Sequence, residues 1–315
     1  ADNLIADFGH GSEHGRSLMQ ALAEALFVYL ESAETNKIKM LYMEWKSLYG
    51  QVATLSSAQV ENIVQTIGFT YHGNTTDKLS KVLFVIHTFN SLLIKLLAAE
   101  IVSQITQLTA YSDFAQNALI ATNDRLIDML DCDIEHSQLY ERTHIHGFVE
   151  EPLFSWYIDT CRDGNVTPAI VENIIVSIRG ILMQLTLYRM QDLAHAQTND
   201  VLKRFYQNIV PRALRKSLGE FYTPDWLVEV SLDKVNSPFE NARFLDPTCG
   251  SGSFLLAIIN RIRSETALPA NQLLPKITNG VWGFDLNPLA VQTSRVNYLI
   301  AISDLLLEAP GIDIE

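Results

Sequence analysis

The stretch Phe244-Leu245-Asp246-Pro247-Thr248-Cys249-Gly250-Ser251-Gly252-Ser253-Phe254-Leu255 constrains this chain more than any other. An apolar, strand-like run from Arg243 to Leu245 meets Asp-Pro, then a turn with two glycines, then an apolar periodic segment, Ser253 to Ile262, that reads as a helix. Strand, glycine turn and helix in that order make a small-molecule site. Glycine at 250 and 252 lets the backbone approach a ligand where a Cβ would collide, and the opening helix presents unpaired N–H groups to an anionic end. The ligand expected at such a turn carries a carboxylate or a phosphate.

The surroundings of the glycines narrow the choice. A dinucleotide fingerprint wants a third glycine, but the position three beyond Gly252 is Leu255. The next strand-end acid, Asp285, follows Gly252 by 33 residues, where that fingerprint places one roughly 20 on. A nucleoside-triphosphate loop needs Lys-Ser or Lys-Thr after the turn, and neither is there.

Two further stretches occur in a fixed order with the first. Upstream lies Gly219-Glu-Phe-Tyr-Thr-Pro224, followed by Asp225-Trp-Leu-Val; downstream lies Val281-Trp-Gly-Phe-Asp285-Leu-Asn-Pro-Leu-Ala290. In this order the three resemble the cofactor segments of the S-adenosylmethionine-dependent methyltransferases that modify adenine N6 or cytosine N4 in DNA. The upstream stretch is similar to that of type I modification subunits and fused restriction-methylation enzymes. The resemblance covers roughly residues 200 to 303, about a third of the chain.

The resemblance implies a site. Phe221, Tyr222, Thr223 and Pro224 would form the first cofactor segment, with Thr223 donating to the methionine carboxylate and the two aromatics meeting the sulfonium or closing the pocket. Asp246 would meet the amino group directly or through water, and the backbone from Thr248 through Gly250 and Ser251 to Gly252 would line the methionine part. Asp285 would accept the two ribose hydroxyls in charge-assisted hydrogen bonds, and Leu286 would pack on the adenine. Cys249 reads as a small buried filler, because no neighbouring His or basic residue would lower its pKa.

The fold class expected is α/β, an all-helical amino-terminal domain (residues 1–200) followed by the first part of a Rossmann-like methyltransferase sheet (residues 201–315). In the first region, Ser17 to Glu31, Ser57 to Gly68, Asp77 to Thr106 and Pro168 to Asp192 carry apolar residues at three and four spacing. Gly50, Gly68 and Gly73 fall where helices should stop, and Pro168 follows Thr167 as a first-turn proline follows a cap. Val82 to Ile94, with His87 and Asn90 inside it, predicts a buried helix and no membrane span. In the second region a helix is expected from Pro224 to Val235, strands over Arg243–Asp246 and Val281–Asp285, and crossover helices over Ser253–Arg263 and Pro288–Leu307.

Composition bounds the rest. With 315 residues, 48% hydrophobic and 19% charged, the chain can bury a large core. Three scattered cysteines, Cys132, Cys161 and Cys249, point away from disulfides and toward a reducing, cytoplasmic setting. A net charge of −13 sits badly with a protein that must hold DNA phosphates by itself. The exception is Val201 to Gly219, where Lys203, Arg204, Arg212, Arg215 and Lys216 occur without an acid; it reads as a solvated helix face or as a phosphate contact beside the site. Cys132, His136, His144 and His146 could in principle hold zinc, but their spacing matches no zinc module, so no metal is expected.

Methyltransferases of exocyclic amines carry an Asn-Pro-Pro-Tyr type segment that grips a flipped-out base, and this sequence has no Pro-Pro. No catalytic residue is therefore assigned. The expectation is the amino-terminal fragment of a DNA adenine-N6 methyltransferase of a restriction-modification or phage-defence system, inactive alone. Its partners would be double-stranded DNA and a specificity or restriction subunit. Cytosine-N4 or RNA methylation, or a scaffold module with a vestigial cofactor fold, are the alternatives.

Overall fold

The computed structural model describes residues 2–32, 36–49, 56–69, 76–106, 113–149, 152–189, 215, 223–239 and 242–314. The first part is helical: α1 (Asp2–Phe8), α2 (Glu13–Ser32), α3 (Asn36–Leu48), α4 (Ser57–Ile67), α5 (Thr76–Thr106), α6 (Phe114–Ile120), α7 (Asn123–Met129), α8 (Gln138–Glu141), α9 (Trp156–Arg162) and α10 (Pro168–Leu185). A π-helical turn, Leu130–Glu135, continues α7. α4 opens with a capping box between Ser56 and Gln59 and closes at Gly68 in the left-handed conformation, as its sequence predicts. Gly50 and Gly73 lie outside the described residues, and α10 ends at Leu185, short of the Asp192 expected from sequence, with Thr186 as its cap.

α5 is the axis of this part. Helices apolar on every side are core helices, and residues 82–105 are all buried, although Ser80–Thr106 has the length and apolarity to cross a membrane. α2, α3, α4, α6 and α10 pack around it. Its buried charges, Lys95 and Glu100, both have partners. Lys95 Nζ lies 2.5 Å from Glu135 Oε2, with both side chains 2% exposed, and Tyr157 donates to the other Glu135 oxygen at 2.8 Å. Glu100 accepts from the Ala115 N–H and from Gln104 Nε2, both at 2.7 Å, so it caps α6 where Asp113, the residue in the cap position, makes no side-chain bond. Burial pushes the Glu100 carboxyl up to about 7.

The second part runs α11 (Asp225–Leu232), β1 (Phe244–Asp246), α12 (Ser253–Glu265), α13 (Ala270–Gly280), β2 (Val281–Gly283), α14 (Pro288–Ala301) and α15 (Ser303–Glu308). β1 and β2 form a two-stranded parallel sheet with Phe244, Leu245 and Asp246 opposite Val281, Trp282 and Gly283. Several expectations are corrected. α13 was not anticipated, because Pro275 sits inside it and marks a break on sequence grounds. β2 ends at Gly283 rather than Asp285, and the expected helix from Pro288 to Leu307 breaks at Ile302 into α14 and α15. Pro224 occupies the cap position of α11 rather than its first turn, whereas Pro288 does open α14.

One apolar core runs through both parts. α14 and α15 lie against α5, and polar ties flank that contact: Ser91 donates to Gln292 Oε1 at 2.9 Å and Arg295 to the Phe148 carbonyl at 2.9 Å.

Candidate functional site

The loops after the two strands are joined by backbone hydrogen bonds. The Phe284 N–H donates to the Asp246 carbonyl at 2.9 Å and the Cys249 N–H to the Phe284 carbonyl at 2.8 Å. Parallel pairing thus runs on beyond the strand ends and holds the glycine loop beside the acid of the second loop. Asp285 closes the junction, with one carboxylate oxygen accepting from the Gly250 N–H at 2.9 Å and the other from the Asn287 N–H at 2.9 Å. An ionised carboxylate offers about four acceptor sites, so Asp285 keeps capacity for further donors.

Asp246 spends part of its capacity locally, accepting from the Thr248 N–H at 3.1 Å in a side-chain turn. Gly250 (φ 54°) and Gly252 (φ 90°) both take the left-handed conformation that favours glycine. A Cβ at Gly252 would lie 2.7 Å from Ser294 Oγ on α14, so helix packing adds a reason for glycine to the left-handed backbone and to the ligand approach read from sequence. At Gly250 the added atom would meet open space, and the backbone conformation alone sets the requirement. Gly283 is a further close approach, where a Cβ would fall 2.7 Å from Leu255 Cδ1 and 2.9 Å from Cys249 Cβ.

α14 supports the loop from beneath. Asn297 donates to the Ser251 carbonyl at 2.7 Å, while the Ser251 hydroxyl is buried with no hydrogen-bond partner among the described residues. Sequence reasoning missed Ser294 and Asn297. Little in the sequence singled them out, because the same helix also carries the polar Gln292, Thr293 and Arg295. Burial pushes the Cys249 thiol up to about 11, with Asp285 and Asp246 adding to the effect, which agrees with an unreactive filler.

The upstream segment comes to the same place. α11 packs on α12, pinned by Arg261, which contacts Glu229 at 2.8 Å and Asp233 at 2.5 Å. Between them a cleft of about 130 Å³ is lined by Asp225, Val228, Glu229, Ser253, Leu256 and Ala257. Thr223 is half-buried and Pro224 exposed at its edge of α11, whereas Phe221 and Tyr222 lie outside the described residues, as does the basic stretch apart from Arg215. Leu286 is 93% exposed and Phe284 60% exposed beside Asp285, leaving apolar surface open at the acid. A larger cleft of about 420 Å³, lined by Ile105, Arg142, His144, Leu306 and residues 309–312 among others, contains none of the loop residues.

The four residues considered for zinc do not converge. His144 Nδ1 and His146 Nε2 lie 2.8 and 3.0 Å from Asp313 Oδ1, whereas His136 pairs with Asp131. Among the described residues no group of three potential ligands could hold a metal ion.

Residues 197–306 match the family model described as N-6 DNA Methylase. Over that segment the chain is similar to the N-6 DNA methylases. The match spans the glycine loop, Asp285 and α14, the elements that build the junction. Among curated proteins the chain is similar to an adenine-specific methyltransferase, PglX, of Streptomyces coelicolor, at 31% identity over 107 residues, covering 30% of this chain and 9% of that protein. It is also similar to the type I restriction enzyme MjaIX methylase subunit of Methanocaldococcus jannaschii, at 26% identity over 107 residues, covering 33% of this chain and 18% of that protein. The matched region is therefore less than a fifth of the length of either relative. No solved structure matches the chain significantly.

Proposed function

We propose that this chain is the S-adenosylmethionine-binding portion of a DNA adenine-N6 methyltransferase that works in restriction-modification or phage defence. The observation that carries the proposal is the double role of Asp285. Its carboxylate reaches across to the Gly250 N–H and so sets the glycine loop and the acidic strand end at one distance, inside the segment that matches N-6 DNA methylases. The donor set fits the cofactor. Asp285 retains acceptor sites for a ribose diol, exposed Leu286 and Phe284 offer an apolar wall for an adenine, and the unpartnered Ser251 hydroxyl is a buried polar group awaiting a hydrogen bond.

S-adenosylmethionine would supply the methyl group for an adenine amine, and the described residues would bind and orient it, with positioning as their main contribution. DNA, and a specificity or restriction subunit, are the partners this reading implies, and the basic stretch from 201 to 219 is the proposed phosphate contact. The test is calorimetric titration of the chain with S-adenosylmethionine beside Asp285→Ala. Binding by the wild type that is lost in the variant supports the reading. A folded wild type that does not bind removes it and favours a scaffold role.

A further inference from the structure

The helical part reaches the cofactor loop through one side chain. Tyr49, immediately after α3, is 5% exposed, and its hydroxyl donates to Asn287 Oδ1 at 2.7 Å. The same oxygen accepts from the Leu289 N–H at 3.0 Å and the Ala290 N–H at 3.4 Å and so caps α14. The Asn287 backbone N–H, in turn, donates to Asp285 at 2.9 Å, and Asp285 holds Gly250. A continuous series of hydrogen bonds therefore runs from the helical part, through the α14 cap and the acid, to the glycine loop.

The tyrosine is itself held. Its ring meets the His87 ring edge-on at 4.9 Å between centroids and the Trp45 ring at 5.4 Å. Trp45 Nε1 donates to His87 Nδ1 at 3.1 Å, which places the proton of the neutral imidazole on Nε2, and burial lowers the His87 pKa to about 3, so the ring stays neutral. A phenol fixed by two buried rings is a rigid strut. The Ser91 to Gln292 tie, between α5 and α14, touches α14 beyond its cap, away from the loop.

We propose that Tyr49 is a positioning residue for the cofactor site, setting the Asn287 turn and through it the orientation of the Asp285 carboxylate. This rests on the S-adenosylmethionine reading above for its functional half, while its structural half stands without ligand. The helical part is then a working wall of the site.

The experiment compares Tyr49→Phe with Ser91→Ala in the whole 315-residue chain, using amide hydrogen exchange without ligand and calorimetric titration with S-adenosylmethionine. Tyr49→Phe is expected to speed exchange at Asn287, Leu289, Ala290 and Gly250, to leave the amides of α3 and α5 unchanged, and to weaken binding about three- to tenfold, the loss of one hydrogen bond. Ser91→Ala should change neither readout. Unchanged exchange in Tyr49→Phe overturns the inference whether or not the chain binds. Equal weakening by both variants also overturns it, because general docking of α14 would then be the cause. Wild-type binding with faster exchange but unaltered affinity in Tyr49→Phe rejects the positioning role and leaves the cofactor reading intact. A folded wild type that fails to bind rejects the cofactor reading and with it the functional half of the inference.

Discussion

Replacing Gly252 by alanine separates two explanations of the glycine loop. The added Cβ would lie 2.7 Å from Ser294 Oγ and 3.5 Å from Ser294 Cβ, at a residue with φ +90°. Overpacking of this kind costs about 1–3 kcal/mol, and a left-handed backbone costs a side chain about 1–2 kcal/mol. The smaller freedom of alanine in the unfolded chain returns about 0.4–1 kcal/mol. The net expectation is a destabilisation of about 2–4 kcal/mol, read from urea unfolding. In a Ser294→Ala background the 2.7 Å contact disappears and the remaining 3.5 Å approach is ordinary, so the same substitution should cost only about 1 kcal/mol. The resulting coupling of roughly 1–3 kcal/mol is measurable in a double-mutant cycle. Equal costs in both backgrounds would refute the packing argument. So would a Gly252→Ala chain that keeps wild-type stability yet no longer binds S-adenosylmethionine, since the glycine would then face the ligand.

Asp285→Ala should abolish cofactor binding and speed amide exchange at Gly250, whose N–H it accepts; retained affinity in calorimetry would remove Asp285 from the site. Lys95→Met or Glu135→Gln alone breaks a pair buried to 2% on each side, and each should cost about 3–5 kcal/mol, with the double variant far below the sum, by denaturant titration. Additive losses would contradict the pairing. Glu100 has a folded pKa raised from 4.5 to about 7, so the folded state binds more protons across that interval. Its contribution is complete below pH 4.5 and is lost as pH rises through about 7. Glu100→Gln should therefore gain on the wild type by about 2–3 kcal/mol between pH 4.5 and 8, and a flat difference across that range would refute the assignment.

What the sequence disclosed was local in the chain. Pro288 read as a first-turn proline, and α14 does begin there, with Asn287 as its cap. The glycine turn before α12 was equally plain. What stayed hidden depended on partners brought close only by folding. Part of the need for Gly252 comes from Ser294, two elements away. The cap of α6 comes from Glu100, on α5, while the adjacent Asp113 that looks like a cap makes no such bond. α13 was concealed by Pro275, which removes one backbone donor from a helix whose buried face, with Leu273, Leu274 and Ile277, keeps it folded. Closeness in sequence also does not make a cluster: His136 and His144 lie on different partners, Asp131 and Asp313.

The placement of α5 sets a timetable for making this protein. Ser91 on α5 meets Gln292 on α14 across 201 positions of chain. At a ribosomal pace of about 5–20 residues per second, the greasy mast of the fold waits roughly ten to forty seconds for that side of its cover to be synthesised. During the interval an uncovered flank of a helix with the apolarity of a bilayer span is held in water by whatever shields nascent chains. The helix that centres the finished molecule is thus the stretch most exposed to misrouting and aggregation before α14 emerges.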